Sequence, residues 1–215
     1  MEPFNYHKLS KGQIPTADVS ITFASLSEVL ESIRSAVGDD TTIDLITGNH
    51  SYFMHRWVDS YQWMKSFFID IFKSIIRNSN VTLIDFNDYV EVGTNTVVLH
   101  GNPDIGVEGQ STVEKTARAF GSAVIGHFHS TNLRFGCLCT GCLCDLDQGY
   151  NSPYTKWDHS FSCITTYAGL DFISPVIFSK AGVIYTGLRS YSKYDGYIIR
   201  SNNINVTFSR GGNNG

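Results

Sequence analysis

Three short apolar runs in this chain end in the same way. Leu45-Ile46-Thr47 runs into Gly48-Asn49-His50, Val97-Val98-Leu99 into His100-Gly101, and Val124-Ile125 into Gly126-His127-Phe128-His129. Each run reads as a short strand stopped by a glycine-containing loop. In α/β sheets, ligands bind in the crevice outside the carboxyl ends of the strands, where side chains distant in sequence converge. Neutral imidazoles joined by an amide oxygen suit zinc, manganese or iron better than calcium or magnesium. A regular strand would send His127 and His129 to opposite sides. Their spacing therefore predicts a loop that turns and lets each imidazole address a different point.

The elements around these runs alternate helix and strand first and become mostly strands later. Ser25-Leu26-Ser27-Glu28 has the spacing of a capping box, with Leu26, Val29, Leu30, Ile33 and Val37 at helical intervals behind it and Gly38 as the stop. Residues 52–77 predict a long helix with an aromatic-rich buried face that includes Trp57, Tyr61, Trp63, Phe67, Phe68 and Phe72. Ser111-Thr112-Val113-Glu114 is a second capping box, opening a helix to about Phe120. Strands are expected at 42–47, 81–84, 88–92, 96–99 and 122–125, then at 133–138, 160–167, 172–178, 183–186, 197–199 and 204–208. This order predicts a mixed α/β layered sandwich. One domain would span residues 1–209, opening on a polar loop, with 210–215 as a flexible tail.

Composition narrows the class. Of 215 residues, 42% are hydrophobic and 17% charged, which excludes a chain too polar to build a core. A net charge of −4 excludes a protein that lives by a broad basic surface. Nucleic acid remains a substrate candidate if held locally through metal ions. Residues 1–20 lack the basic-then-apolar order of a secretory signal. The run 63–76 is broken by Lys65, Asp70 and Lys73 and falls short of the roughly 20 residues a bilayer needs, so no membrane association is expected. The five cysteines are an odd count, and four of them crowd into residues 137–144. That is no disulfide framework, and it predicts a reducing, cytoplasmic setting.

The crowded cysteines form a C-x-C-x-x-C-x-C run of Cys137, Cys139, Cys142 and Cys144. Four thiolates could hold a tetrahedral zinc. The alternative is a strand–turn–strand element about Thr140-Gly141, whose alternate cysteines face the core as small hydrophobes. Partly buried thiols on neighbouring strands, without metal or obligatory disulfide, are the expectation. His7, His55 and His159 match no motif and read as surface or packing residues.

Gly-Asn-His, then His-Gly, then Gly-His-x-His, each after an apolar strand and in this order, resembles the calcineurin-like metallophosphoesterases. The stretch from Thr94 through Ala119-Phe120-Gly121 to His129 is similar to bacteriophage-type members of that family. The resemblance implies a layered αββα sandwich. It makes Asn49, His100 and His127 ligands of one divalent metal and His129 a ligand of a second. His50 would face the phosphoryl oxygens and help the leaving group depart. It further implies hydrolysis of a phosphodiester or phosphomonoester, nucleic acid among the candidates, by metal-activated water. Manganese is the first expectation, with iron or zinc as alternatives. A phage-encoded member would act in the host cytoplasm.

The family's Asp-x-His and Gly-Asp motifs have no counterpart at their places in this chain. Asp18 is followed by Val19-Ser20, and Gly38-Asp39-Asp40 lies ten residues before Asn49. Ser51 also follows His50 where the family usually has an acid. The resemblance therefore implies an amino-terminally incomplete fold, a dinuclear centre only if those motifs are supplied from an upstream segment, and impaired catalysis as given. A non-catalytic binding or structural module that kept the fold is the rival reading, and a thiolate zinc protein is another.

Overall fold

The computed structural model describes residues 19–49, 62–101, 112–144, 146, 156–178, 183–186, 190–192, 197–201 and 204–208. His50, the expected helix over 52–61, His7, His55, the opening loop and the tail at 210–215 lie outside them. The fold is mixed α/β, as the sequence pattern predicts. By internal contacts the chain divides into two compact units, Met1–Val90 and Glu91–Gly215. Among the described residues, no helix is long and apolar enough to cross a membrane.

The first unit holds α1 (Val19–Val37), β1 (Asp44–Ile46), α2 (Gln62–Asn78) and β2 (Thr82–Ile84), with β1 and β2 paired in parallel. Phe23, Leu30, Phe68 and Ile76 are buried, and the Phe23 and Phe68 rings lie 6.0 Å apart. This packing corrects the expected capping box. Helix α1 already includes Val19, because Phe23, two places ahead of Ser25, belongs to the buried face, and burial outweighs a local capping signal. The serines bond within the helix instead: Ser27 Oγ donates to the Glu31 carboxylate and Ser32 Oγ to the Glu28 carbonyl. The aromatic face of α2 is also narrower than expected, since Phe68 is buried but its neighbour Phe67 is exposed. Gly38 does close α1, at a φ of 78° with its N–H donating to the Arg34 carbonyl. The Arg34 guanidinium then donates to the carbonyls of Gly38, Thr41, Ser79 and Asn80, tying the ends of α1 and α2 together.

The second unit is built on a five-stranded sheet. Its strands are β3 (Tyr89–Val92), at which the two units divide, β4 (Thr96–Leu99), β5 (Ser122–Ile125), β6 (Asn132–Arg134) and β7 (Cys137–Cys139), in the order β3-β4-β5-β7-β6. β4, β5 and β7 are mutually parallel, and α3 (Thr112–Phe120) crosses between β4 and β5. Register sets the core. Val97 pairs with Ala123 and Ala123 with Cys137, while Leu99 pairs with Ile125 and Ile125 with Cys139. These two rows share one face by the two-residue period of strands, and they cluster with Ala117 of α3. Val124 and Leu138, on the other face, are buried as well. Strands covered on both faces explain why these runs are continuously apolar rather than alternating.

The expected strand over 133–138 is instead two strands joined at Phe135-Gly136, whose φ values are 53° and 84°. Two successive left-handed residues make a tight hairpin, and phenylalanine gives no sequence hint of it. Beyond this sheet, β8 (His159–Tyr167), β9 (Leu170–Phe178), β10 (Val183–Tyr185) and β11 (Ser190–Ser192) form an antiparallel sheet, and β12 (Tyr197–Ser201) pairs with β13 (Ile204–Phe208).

Asp171 of β9 ties that second sheet to the β3–β4 turn. Its carboxylate accepts from the N–H groups of Asn95 and Thr94 at 2.7 and 2.9 Å and from the hydroxyls of Thr166 and Thr96 at 2.7 and 3.0 Å. Gly93 is required beside it, because its φ is 68° and a Cβ there would overlap the carboxylate. The Asn95 N–H, then the Thr166 hydroxyl and the Thr94 N–H, hold the carboxyl well below the usual carboxylate range. A depressed folded-state pKa stabilises the protein fully above the unfolded carboxylate value, and the contribution is lost as pH falls below it. Asp171→Asn should therefore lower Tm at neutral pH by roughly 2–4 °C. It should also flatten the acid limb of a thermal-melt series below about pH 4. An unchanged acid limb would mean that the turn is held by other contacts.

Candidate metal centre

The carboxyl ends of β4, β5 and β7 lie side by side, and each delivers metal-capable side chains to one edge. β4 ends at His100-Gly101. Gly101 has a φ of 91°, and a Cβ there would press on Ile125 of the neighbouring strand at 3.2 Å. That close approach lets the backbone turn immediately after His100. β5 ends at Gly126, and His127 follows with a φ of 71°. The Phe128 N–H donates back to the Gly126 carbonyl at 2.9 Å, so His127 is the central residue of a γ-turn with positive φ, a rare and strained conformation. His129 also has positive φ, 59°. Two histidines in the left-handed region within three residues are a local cost that surrounding structure must hold in place.

The loop turns, and the two rings diverge. His127 Nδ1 lies 3.2 Å from His100 Nε2, with the rings edge-on at 81°, although the residues are 27 positions apart in sequence. Two imidazole nitrogens ligating one tetrahedral ion at about 2.0–2.1 Å would stand about 3.3–3.4 Å apart. The 3.2 Å approach is itself a hydrogen bond between the two rings, one nitrogen donating and the other accepting, and its length is close to that spacing. His129 points elsewhere. Its ring packs edge-on against Trp157 with centroids 4.3 Å apart, and it lies in a group with Cys142 and Cys144. Asn49 is half-buried in the first unit, three positions past β1.

The cysteine run divides in two. Cys137 and Cys139, in the interior strand β7, are buried in the core. Burial pushes their thiols up to about 12 and about 11, so both stay protonated at neutral pH. Cys142 and Cys144 lie past the end of β7, half-buried, in the loop that leaves the same sheet edge. None of the five cysteines forms a disulfide. The expected turn about Thr140-Gly141 is not a hairpin: Cys142 instead bridges in parallel to His159. His159 is correspondingly no surface residue. It is half-buried, and its Nε2 bonds the Cys144 carbonyl at 2.7 Å.

No protein-family model matches this chain, and no curated protein does. Among solved structures, two crystal structures of Vps29 from Entamoeba histolytica, a single and a double mutant, are similar to it. They share 13% and 12% identity, with TM-scores of 0.37 and 0.36. The first comparison covers 84% of this chain and 94% of that one, the second 86% and 92%.

Proposed function

We propose that this chain carries a metal-dependent phosphoesterase site of the calcineurin-like kind, in which His100 and His127 hold a divalent cation, manganese first. The approach of His100 Nε2 to His127 Nδ1 at the ends of adjacent parallel strands supports this reading. When bound, the cation would supply Lewis-acid polarisation of a phosphoryl oxygen and acidify a water. His127 is held ready by its strained turn, and His100 by the glycine that follows it. The roles that the resemblance gives Asn49 as a ligand and His50 as the group facing the phosphoryl oxygens belong to the same proposal. A protonated His50 would donate to the departing oxygen and stabilise the charge that develops there. With a net charge of −4, a nucleic-acid substrate would be gripped at this site rather than by the general surface.

The rival reading is a non-catalytic binding module that kept the fold. The test is hydrolysis of an aryl phosphodiester by the full chain with and without Mn²⁺. Slow turnover that requires Mn²⁺, and that His50→Ala reduces by about 10²–10³, is expected. Mn²⁺ binding without any turnover would leave the binding-module reading. Failure to bind Mn²⁺ through His100 and His127 would defeat both.

A further inference from the structure

We propose that His129, Cys142 and Cys144 form a zinc site of one imidazole and two thiolates with a fourth position open, distinct in chemistry from the His100–His127 pair. One donor atom from each residue lies within 4.8 Å of the other two. Around tetrahedral zinc, with Zn–S near 2.3 Å and Zn–N near 2.0–2.1 Å, donors stand about 3.4–3.8 Å apart. Closing the site thus needs movements of about an ångström, within reach of side-chain rotation.

The ligands come from two separate loops, and one segment fastens both. The Asp158 N–H donates to the His129 carbonyl at 3.0 Å, and the Asp158 carbonyl accepts from the Cys142 N–H at 2.9 Å. The Asp158 carboxylate accepts from the Thr131 N–H at 2.8 Å, fixing the chain just beyond His129. His159 bonds the Cys144 carbonyl, and Trp157 packs against the His129 ring. Three consecutive residues therefore set the position of all three donors, the kind of outer-shell support that orients metal ligands. Gly141 permits the close fit, because a Cβ there would collide with the Asp158 backbone. Two soft thiolates with an imidazole select zinc over manganese or magnesium. Three protein ligands are also the number that leaves zinc a position for water or an anion. The site stands whether or not the chain hydrolyses phosphoesters.

Cobalt(II), which reports thiolate ligation through a near-ultraviolet charge-transfer band, tests this on the full chain, with zinc competing. Wild type should bind one Co²⁺ with that band and lose it on adding Zn²⁺. Cys142→Ser and Cys144→Ser should each weaken Zn²⁺ binding by more than the roughly 10–100-fold typical of an outer-shell change, and His159→Ala by that smaller amount. Cys163→Ser, at an exposed position of β8, should change nothing. His100→Ala should keep the band, which separates failure here from failure of the phosphoesterase reading. Should the cysteine variants not fold, alkylation of wild type decides. Zn²⁺ should protect Cys142 and Cys144 from iodoacetamide. No charge-transfer band, a band that survives in the double cysteine variant, or equal alkylation with and without Zn²⁺ would each overturn the site.

Discussion

Removing the His127 imidazole should lower Mn²⁺ affinity by more than the roughly 10–100-fold that lost outer-shell support costs. His100→Ala should do the same. The double variant should be little worse than either single one, because two groups that share one ion do not add. His129→Ala should leave this affinity largely intact, since its ring faces Trp157 and the cysteine loop rather than His100. The more diagnostic variant is His127→Gly. Glycine meets a φ of 71° without strain, whereas a histidine there carries a cost on the order of 1 kcal/mol. His127→Gly should therefore abolish Mn²⁺ binding as His127→Ala does, yet leave a higher Tm than His127→Ala, because alanine keeps the strain at this φ and glycine does not. Titration calorimetry and thermal melts on the same samples measure both. If Mn²⁺ affinity is unchanged in His127→Ala and His100→Ala, the pair is a packing contact and the phosphoesterase reading loses its support.

The strand ends that carry this pair were legible because the signal is local. An aliphatic run beside a glycine and a histidine says strand, then loop, without knowledge of anything distant. The alternation from helix to strand was legible for the same reason, and with it the mixed α/β class. What failed depended on partners far along the chain. Ser25 has the right neighbours for a helix cap, but Phe23 is drawn into the core by Phe68, 45 positions later, and no local pattern reports that. The cysteine run looked like one motif because its spacing is regular. The Phe135-Gly136 hairpin places Cys137 and Cys139 inside the sheet and sends Cys142 and Cys144 past its edge. Nothing in the spelling Arg-Phe-Gly-Cys announces that turn. Of the surface and packing alternatives for His159 the structure shows packing, and the sequence could not choose between them because its partner is a backbone carbonyl, which every residue has and no sequence displays. A useful signal did exist: Trp157-Asp158-His159 is a dense polar–aromatic triplet opening a strand, a poor choice for anything but a fixed contact.

Ile125 is where fold and site meet, and its truncation should be among the most damaging single changes in the second unit. The side chain is fully buried, its strand residue pairs with Leu99 on one side and Cys139 on the other, and it packs beneath Gly101. Its carbonyl accepts from the Thr140 N–H at 2.8 Å and the Thr140 hydroxyl at 3.2 Å, so the residue touches the start of all three edge loops. Ile125→Ala should cost about 2–5 kcal/mol, against about 0.5–1.5 for Ile125→Val. The larger loss is a substantial part of the roughly 5–15 kcal/mol that holds a typical domain together. Tm should fall by about 5–15 °C. Leu138→Ala is the control, because Leu138 is equally buried but lies on the opposite face of β7, away from Gly101. It should lose similar stability. Only Ile125→Ala should also weaken metal binding at temperatures where both variants remain folded, since only it removes the Ile125 Cδ1 that lies beneath Gly101, beside His100. Denaturant unfolding gives the stabilities, and Mn²⁺ titration of the folded variants gives the affinities. Equal affinities in the two variants would show that the His100 loop is positioned by its own backbone and draws nothing from the core below it.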